Sequence, residues 1–180
     1  MDYLSKSFIV GEPHEIYEIE PVIKEFYNDI YYIKPPGTLD GGDVLQIEKQ
    51  FYIGLSERTN EEGAKQFIEI VSKAGYSGTI VTLEELFHLK TGISYLGNNT
   101  IVVTGELVNL PEFAQYDKII VSKEEEYAAN CIRVNDFVII PKDYPNMKKA
   151  VVEAGYNVLE VNTSEFKKQD GGLSCLSLRF

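Results

Sequence analysis

One unit recurs along this 180-residue chain: a strand–turn–strand pattern, an amphipathic stretch and a further strand. Alternating apolar residues around Asn/Gly/Asp turns predict hairpins over 43–55, 93–105 and 131–141. Their turns fall near Glu48-Lys49, at Gly97-Asn98-Asn99 and at Asn135-Asp136. A similar pattern covers 3–10, and a closing strand is predicted from Cys175. These starts lie roughly 40–50 residues apart, a period in the range of propellers and solenoids. Helices are predicted over 60–74 and 144–154, each followed by glycine and then by strands at 79–81 and 157–161. The stretch 106–116 has no clear assignment because Pro111 interrupts it. No low-complexity linker divides the chain, so the expectation is a single α/β domain over 1–180.

Three residues at the openings of predicted strands carry chemistry. Cys175 follows Gly171-Gly172, and glycines before a strand let backbone turn sharply or come close to a ligand. A thiol there suits a nucleophile, although an unpaired cysteine is as readily a small apolar core residue. A cysteine nucleophile needs a group that stabilises the thiolate and handles protons, and His88 is one of two histidines in the chain. Asp40, in the glycine-rich run 37–43, is a carboxylate able to orient the imidazole. The other histidine, His14, reads as exposed, Cys131 as packing and Glu124-Glu125-Glu126 as a solvated charge cluster. No His/Cys spacing predicts a metal site.

Five segments occur together and in order: Gly-Thr-Leu-Asp-Gly-Gly-Asp at 37–43, Gly-Leu-Ser-Glu-Arg-Thr-Asn at 54–60, His-Leu-Lys-Thr-Gly at 88–92, Ala-Ala-Asn-Cys at 128–131 and the Cys175 tail. Together they resemble the dimethylarginine dimethylaminohydrolase family of the guanidine-modifying (arginine deiminase) superfamily. The resemblance implies a pentein-type α/β propeller of ββαβ modules around a central site. It also implies hydrolysis of an N-methylated arginine to citrulline and a methylamine, through a covalent thiouronium on Cys175. His88 would serve as proton shuttle and Asp40 as its orienting carboxylate. By the same resemblance, Arg58 clamps the substrate carboxylate, Asp2 belongs to an acidic pair around the guanidinium, and the Gln169 backbone carbonyl faces the substrate. No cofactor is implied. A deiminase of another guanidine and an inactive pentein binding module are the alternatives.

Two departures bear on these expectations. The family pattern continues upstream of Met1 through about one further module, and 11–20 lacks the family's arginine-rich stretch. An incomplete ring is therefore expected, either as a shortened product or closed by association between copies, and the chain alone is expected to be a poor enzyme.

Composition is compatible with this reading. A net charge of −11 disfavours nucleic acid as partner and attracts a cationic small-molecule substrate. No apolar run reaches the roughly 20 residues of a membrane span. Two cysteines do not form a disulfide framework, so a reduced, cytoplasmic setting is expected.

Overall fold

The computed structural model describes residues 7–10 and 20–177. The predicted strand over 3–6, together with Asp2 and His14, lies outside them. The chain packs as two compact units, Met1–Leu83 and Glu84–Phe180.

In the first unit, β1 (Ser7–Val10) and β2 (Asp29–Tyr32) pair in parallel across helix α1 (Glu20–Phe26). A second sheet follows, built as the sequence predicts. Strands β3 (Val44–Ile47) and β4 (Gln50–Leu55) form an antiparallel hairpin, with Glu48 supplying the positive φ its turn requires. Helix α2 (Glu61–Ser72) then crosses over, and β5 (Ser77–Thr82) pairs with β4 in parallel. Gly63, Ala64, Phe67 and Val71 line the buried face of α2 at helical spacing. They pack with Phe51 and Ile53, and the Phe51 and Phe67 rings meet edge to face at 5.2 Å.

The N-terminus of α2 is where the glycine-rich run 37–43 docks. Asn60 caps the helix, its Oδ1 accepting from Gly63 N at 2.8 Å and from Thr38 N at 3.0 Å. Its Nδ2 donates to the Pro36 carbonyl at 2.8 Å. Contact is so close that a Cβ on Gly63 would lie 2.0 Å from the Thr38 carbonyl oxygen.

The second unit holds two modules of the same kind. Strands β6 (Ile93–Gly97) and β7 (Thr100–Thr104) form a hairpin turned by Asn98 and Asn99, both at positive φ, and β8 (Asp117–Val121) joins β7 in parallel. The crossover that the sequence leaves unassigned is two 3₁₀ turns, 105–109 and 111–113. Leu110 between them is extended, as a residue before proline prefers, so no α-helix runs through. Strands β9 (Ile132–Val134) and β10 (Phe137–Pro141), helix α4 (Pro145–Glu153) and β11 (Asn157–Val161) complete the next module; the short helix α3 (Leu89–Gly92) precedes β6 and α5 (Ser164–Lys167) follows β11. Leu96, Val102, Val121, Cys131, Val138, Ile140 and Val151 form a shared core.

Two expectations are corrected. Residues 173–176 form a turn, not the start of a strand: Cys175 N and Leu176 N both donate to the Gly172 carbonyl, at 3.1 and 3.2 Å. These backbone donors are satisfied locally, leaving nothing for a ladder there. Glu125 is not a solvated charge but a buried one that caps α4, accepting from Asn146 N at 3.2 Å, Asn146 Nδ2 at 2.9 Å and Met147 N at 2.7 Å. A helix N-terminus offers unpaired N–H groups and a positive dipole end, which a carboxylate answers.

The Gly63 contact generates a stability prediction. Gly63→Ala should lower unfolding free energy by about 1–3 kcal/mol or more in urea titration. Gly41→Ala, whose Cβ meets nothing within 4 Å, should change it by less than about 0.5 kcal/mol. Equal effects would refute tight docking of the loop on α2.

Candidate active site

In the first unit the sequence-predicted residues Asp40 and Arg58 come together. Asp40 sits in extended backbone and caps the 3₁₀ turn Gly41–Asp43, its Oδ1 accepting from Gly42 N at 2.7 Å. The Arg58 Nη1 lies 3.5 Å from Asp40 Oδ2. Sequence offered no ion-pair pattern for Arg58 because this partner is far upstream on another loop. The pair is partly solvated, so it orients the two groups more than it stabilises the fold.

Beneath it lies a carboxylate to which sequence analysis gave no role. Asp43 is fully buried, and its Oδ2 accepts from Ser56 Oγ at 2.6 Å and Thr59 Oγ1 at 2.7 Å. Ser56 Oγ in turn accepts from Arg58 N and Thr59 N, while Thr59 Oγ1 accepts from Asp40 N at 2.9 Å. Asp43 thus ties the loop carrying Arg58 to the loop carrying Asp40. The available signal was an acidic residue placed directly before a strand after two glycines.

In the second unit His88 is 8% exposed and flanks α3 from extended backbone. Its carbonyl accepts from Thr91 N and Thr91 Oγ1, and its ring meets Phe87 at 4.4 Å between centroids. The segment leading to it is clamped by Glu106, which accepts from Glu84 N, Glu85 N and Leu86 N at 2.8, 3.0 and 2.9 Å. Partial burial pushes the Glu106 carboxyl up, but the three backbone N–H bonds outweigh it and hold the carboxyl below its ordinary value.

Cys175 is exposed, in the turn described above. Cys131 is buried beside Ser94, and burial pushes its thiol up to about 12. The two cysteines therefore differ in access to solvent, Cys175 meeting it and Cys131 shut away from it. Gln169 is exposed at the end of α5, where its N–H bonds the Phe166 carbonyl at 3.0 Å. A cavity of about 390 Å³ opens in this unit, bounded by Leu86, Phe87 and Thr91 around His88, by Tyr127 and Asn130, and by Gly172 of the tail. Its rim carries both signs, with Glu85, Glu124 and Asp170 against Lys123 and Lys167. Among the described residues no group of three or more His, Cys, Asp or Glu side chains is placed to hold a metal, and no helix is long and apolar enough to cross a membrane.

With this fold and these loops in view, comparison with known proteins assigns the class. The chain belongs to the arginine deiminase family, which matches residues 14–135. Within it, the chain is a homologue of dimethylarginine dimethylaminohydrolase: it is 48% identical over 163 residues to the Pseudomonas aeruginosa protein of that name, covering 90% of this chain and 64% of that one. It therefore spans somewhat less than two thirds of that relative's length. A solved structure of the P. aeruginosa protein, a cysteine-to-serine variant complexed with citrulline, superposes with a TM-score of 0.90 at 47% identity, over 92% of this chain and 66% of that chain. A second, a histidine-to-glycine dimethylarginine dimethylaminohydrolase in adduct with S-methyl-L-thiocitrulline, gives a TM-score of 0.94 at 45% identity, over 98% and 72%. The pentein-type α/β fold expected from the resemblance is the fold observed.

The Glu106 clamp sets a pH dependence. A carboxylate whose native pKa is lowered stabilises above its ordinary value of 4.5, and that contribution is lost as pH falls through the lower native value. Hydrogen exchange of amides 84–86 should accelerate, beyond the intrinsic trend, as pH drops through that window. Glu106→Gln should weaken protection at neutral pH and flatten this response. An unchanged profile in the variant would show that Glu106 does not hold the segment.

Proposed function

We propose that the protein containing this chain hydrolyses a guanidinium C–N bond of an N-methylated arginine, with Cys175 as nucleophile. The carrying observation is the exposed thiol in a turn whose first residue, Gly172, borders the cavity walled by the His88 segment. Citrulline and a thiocitrulline bound to relatives, one a cysteine variant and the other a histidine variant, agree with that assignment.

In this reading the Cys175 thiolate adds to the guanidinium carbon. Collapse of the adduct breaks the C–N bond to the methylated nitrogen, which leaves as an amine with a proton from His88. The resulting thiouronium is attacked by water, which gives its proton to His88; C–S cleavage then releases citrulline and restores the thiolate. A delocalised guanidinium is a poor electrophile, so its charge must be fixed while sulfur approaches. Asp40 is assigned the carboxylate role. Arg58 supplies a planar donor fork for the substrate carboxylate, and its side chain is half-exposed. The Gln169 carbonyl and Asp2, which lies outside the described residues, are assigned their expected substrate contacts as part of the proposal. The match to the arginine deiminase family favours one second reading, an enzyme acting on unmethylated arginine.

Citrulline release from dimethylarginine and from arginine by the full-length protein separates the two. Cys175→Ser should abolish turnover, and His88→Ala should lower it at least ~10²-fold. Asp40→Asn should be damaging to a smaller extent. A trapped adduct should map by mass spectrometry to the Cys175 peptide. An adduct on Cys131, or near-normal turnover in His88→Ala, would overturn the mechanism.

A further inference from the structure

We propose that Asn130 is a positioning residue for Cys175, fixing the turn that presents the thiol; the inference rests on the nucleophilic role proposed above. Asn130 closes the 3₁₀ turn Lys123–Ala129 and is 4% exposed, a burial that a side-chain amide tolerates only when hydrogen-bonded. Its partner is the main chain of the tail: Oδ1 accepts from Ser174 N at 2.8 Å. The other side of the same amide presses on Gly172, where an added Cβ would lie 2.3 Å from Nδ2 and 2.6 Å from Cγ. One side chain therefore grips the turn at 172 and at 174, immediately before the thiol.

The grip is itself fixed to the core. Residues on either side of Asn130 are tied to the buried Ser94 hydroxyl, which donates to the Ala129 carbonyl at 2.7 Å and accepts from Cys131 N at 3.1 Å. A second hold comes from one turn earlier, where Tyr127 OH donates to the Gly171 carbonyl at 2.7 Å. The Tyr127 ring is steadied by the Lys167 ammonium, 4.8 Å from its centroid. Ser174 contributes through its backbone, since its buried hydroxyl has no hydrogen-bond partner among the described residues. Residues 173–176 have no strand pairing, so these contacts, with the buried Leu173, set where the sulfur stands.

A nucleophile displaced by about 1 Å loses roughly 10²-fold in rate, while substrate affinity set by other groups is spared. In the full-length protein, Asn130→Ala should lower kcat by about 10- to 100-fold with KM changed less than about threefold. Asn130→Asp, which keeps the acceptor oxygen, should recover most of that loss. Gly172→Ala, which leaves both hydrogen-bonding groups in place but pushes the amide away, should behave like Asn130→Ala. Tyr127→Phe should give the same split in milder form, and it remains available if the Asn130 variants fail to fold. Hydrogen exchange at 173–176 should accelerate in each impaired variant while Cys131 stays unlabelled by thiol reagent, which certifies an intact core. Unchanged kcat despite faster exchange, or equal losses in Asn130→Ala and Asn130→Asp, would overturn the proposal. If wild type fails to turn over dimethylarginine or arginine, the functional reading is what fails. The rate of Cys175 alkylation then decides the positioning proposal: a change in Asn130→Ala reversed in Asn130→Asp supports it, and no change sinks it.

Discussion

An antiparallel hairpin sets the residue that enters it beside the residue that leaves it, and the placement of functional groups in this chain depends on that constraint. Val44 at the start of β3 pairs with Ile53 near the end of β4, so the loop holding Asp40 and Asp43 lies against the loop holding Ser56, Arg58 and Thr59. Ile93 at the start of β6 pairs with Val103 near the end of β7, which brings the His88 segment against Glu106. Groups distant in sequence become neighbours through backbone ladders alone. The parallel third strand then buries each hairpin from one edge, as β5 does for β4 and β8 for β7.

Two of the modules, β3–β5 and β6–β8, each use one carboxylate to lock entrance to exit. In the first unit the lock is Asp43, fully buried and answered by two hydroxyls. In the second it is Glu106, less buried and answered by three backbone N–H groups. The solutions differ because Asp43 sits on the entering side and faces side chains, whereas Glu106 sits on the leaving side and faces main chain. Both leave the neighbouring candidate residue, Asp40 or His88, on a segment whose backbone is already fixed. Preorganisation of this kind lets a side chain hold a defined direction.

The fold was legible wherever local chemistry and tertiary packing ask for the same thing. Glu48, Asn98, Asn99 and Asn135 take the positive φ that hairpin turns demand, and the sequence marks all of these turns. Helix α2 announces itself by Asn60 and by apolar spacing. Legibility ended where satisfaction is non-local. The alternation Leu-Ser-Cys-Leu-Ser-Leu reads as a strand, yet its first residues turn because Gly172 accepts their N–H groups and Asn130 accepts that of Ser174. Glu125 reads as one of three surface acids, and only α4, brought against it by folding, makes it a cap. Asn130 and Tyr127 carry no local signal of partnership, since their partners lie 44 residues away, and Asp43 has only its place after two glycines, its partners lying 13 and 16 residues away.

The chain's two cysteines show how far environment, not residue type, assigns chemistry. Cys131 follows the same asparagine that grips the tail, but its side chain turns into the core formed with Leu96, Val138 and Met147, where a thiolate has no solvation. Cys175 stands outside any core, on a turn with accessible sulfur. The stretch 128–131 thus serves two purposes from adjacent positions: one residue packs, and the next one back reaches out to hold the turn at 172–174. A buried polar side chain bonded to main chain transmits position without contributing a reacting atom. That makes an asparagine well suited to the task, because its amide oxygen accepts from the main chain of the turn.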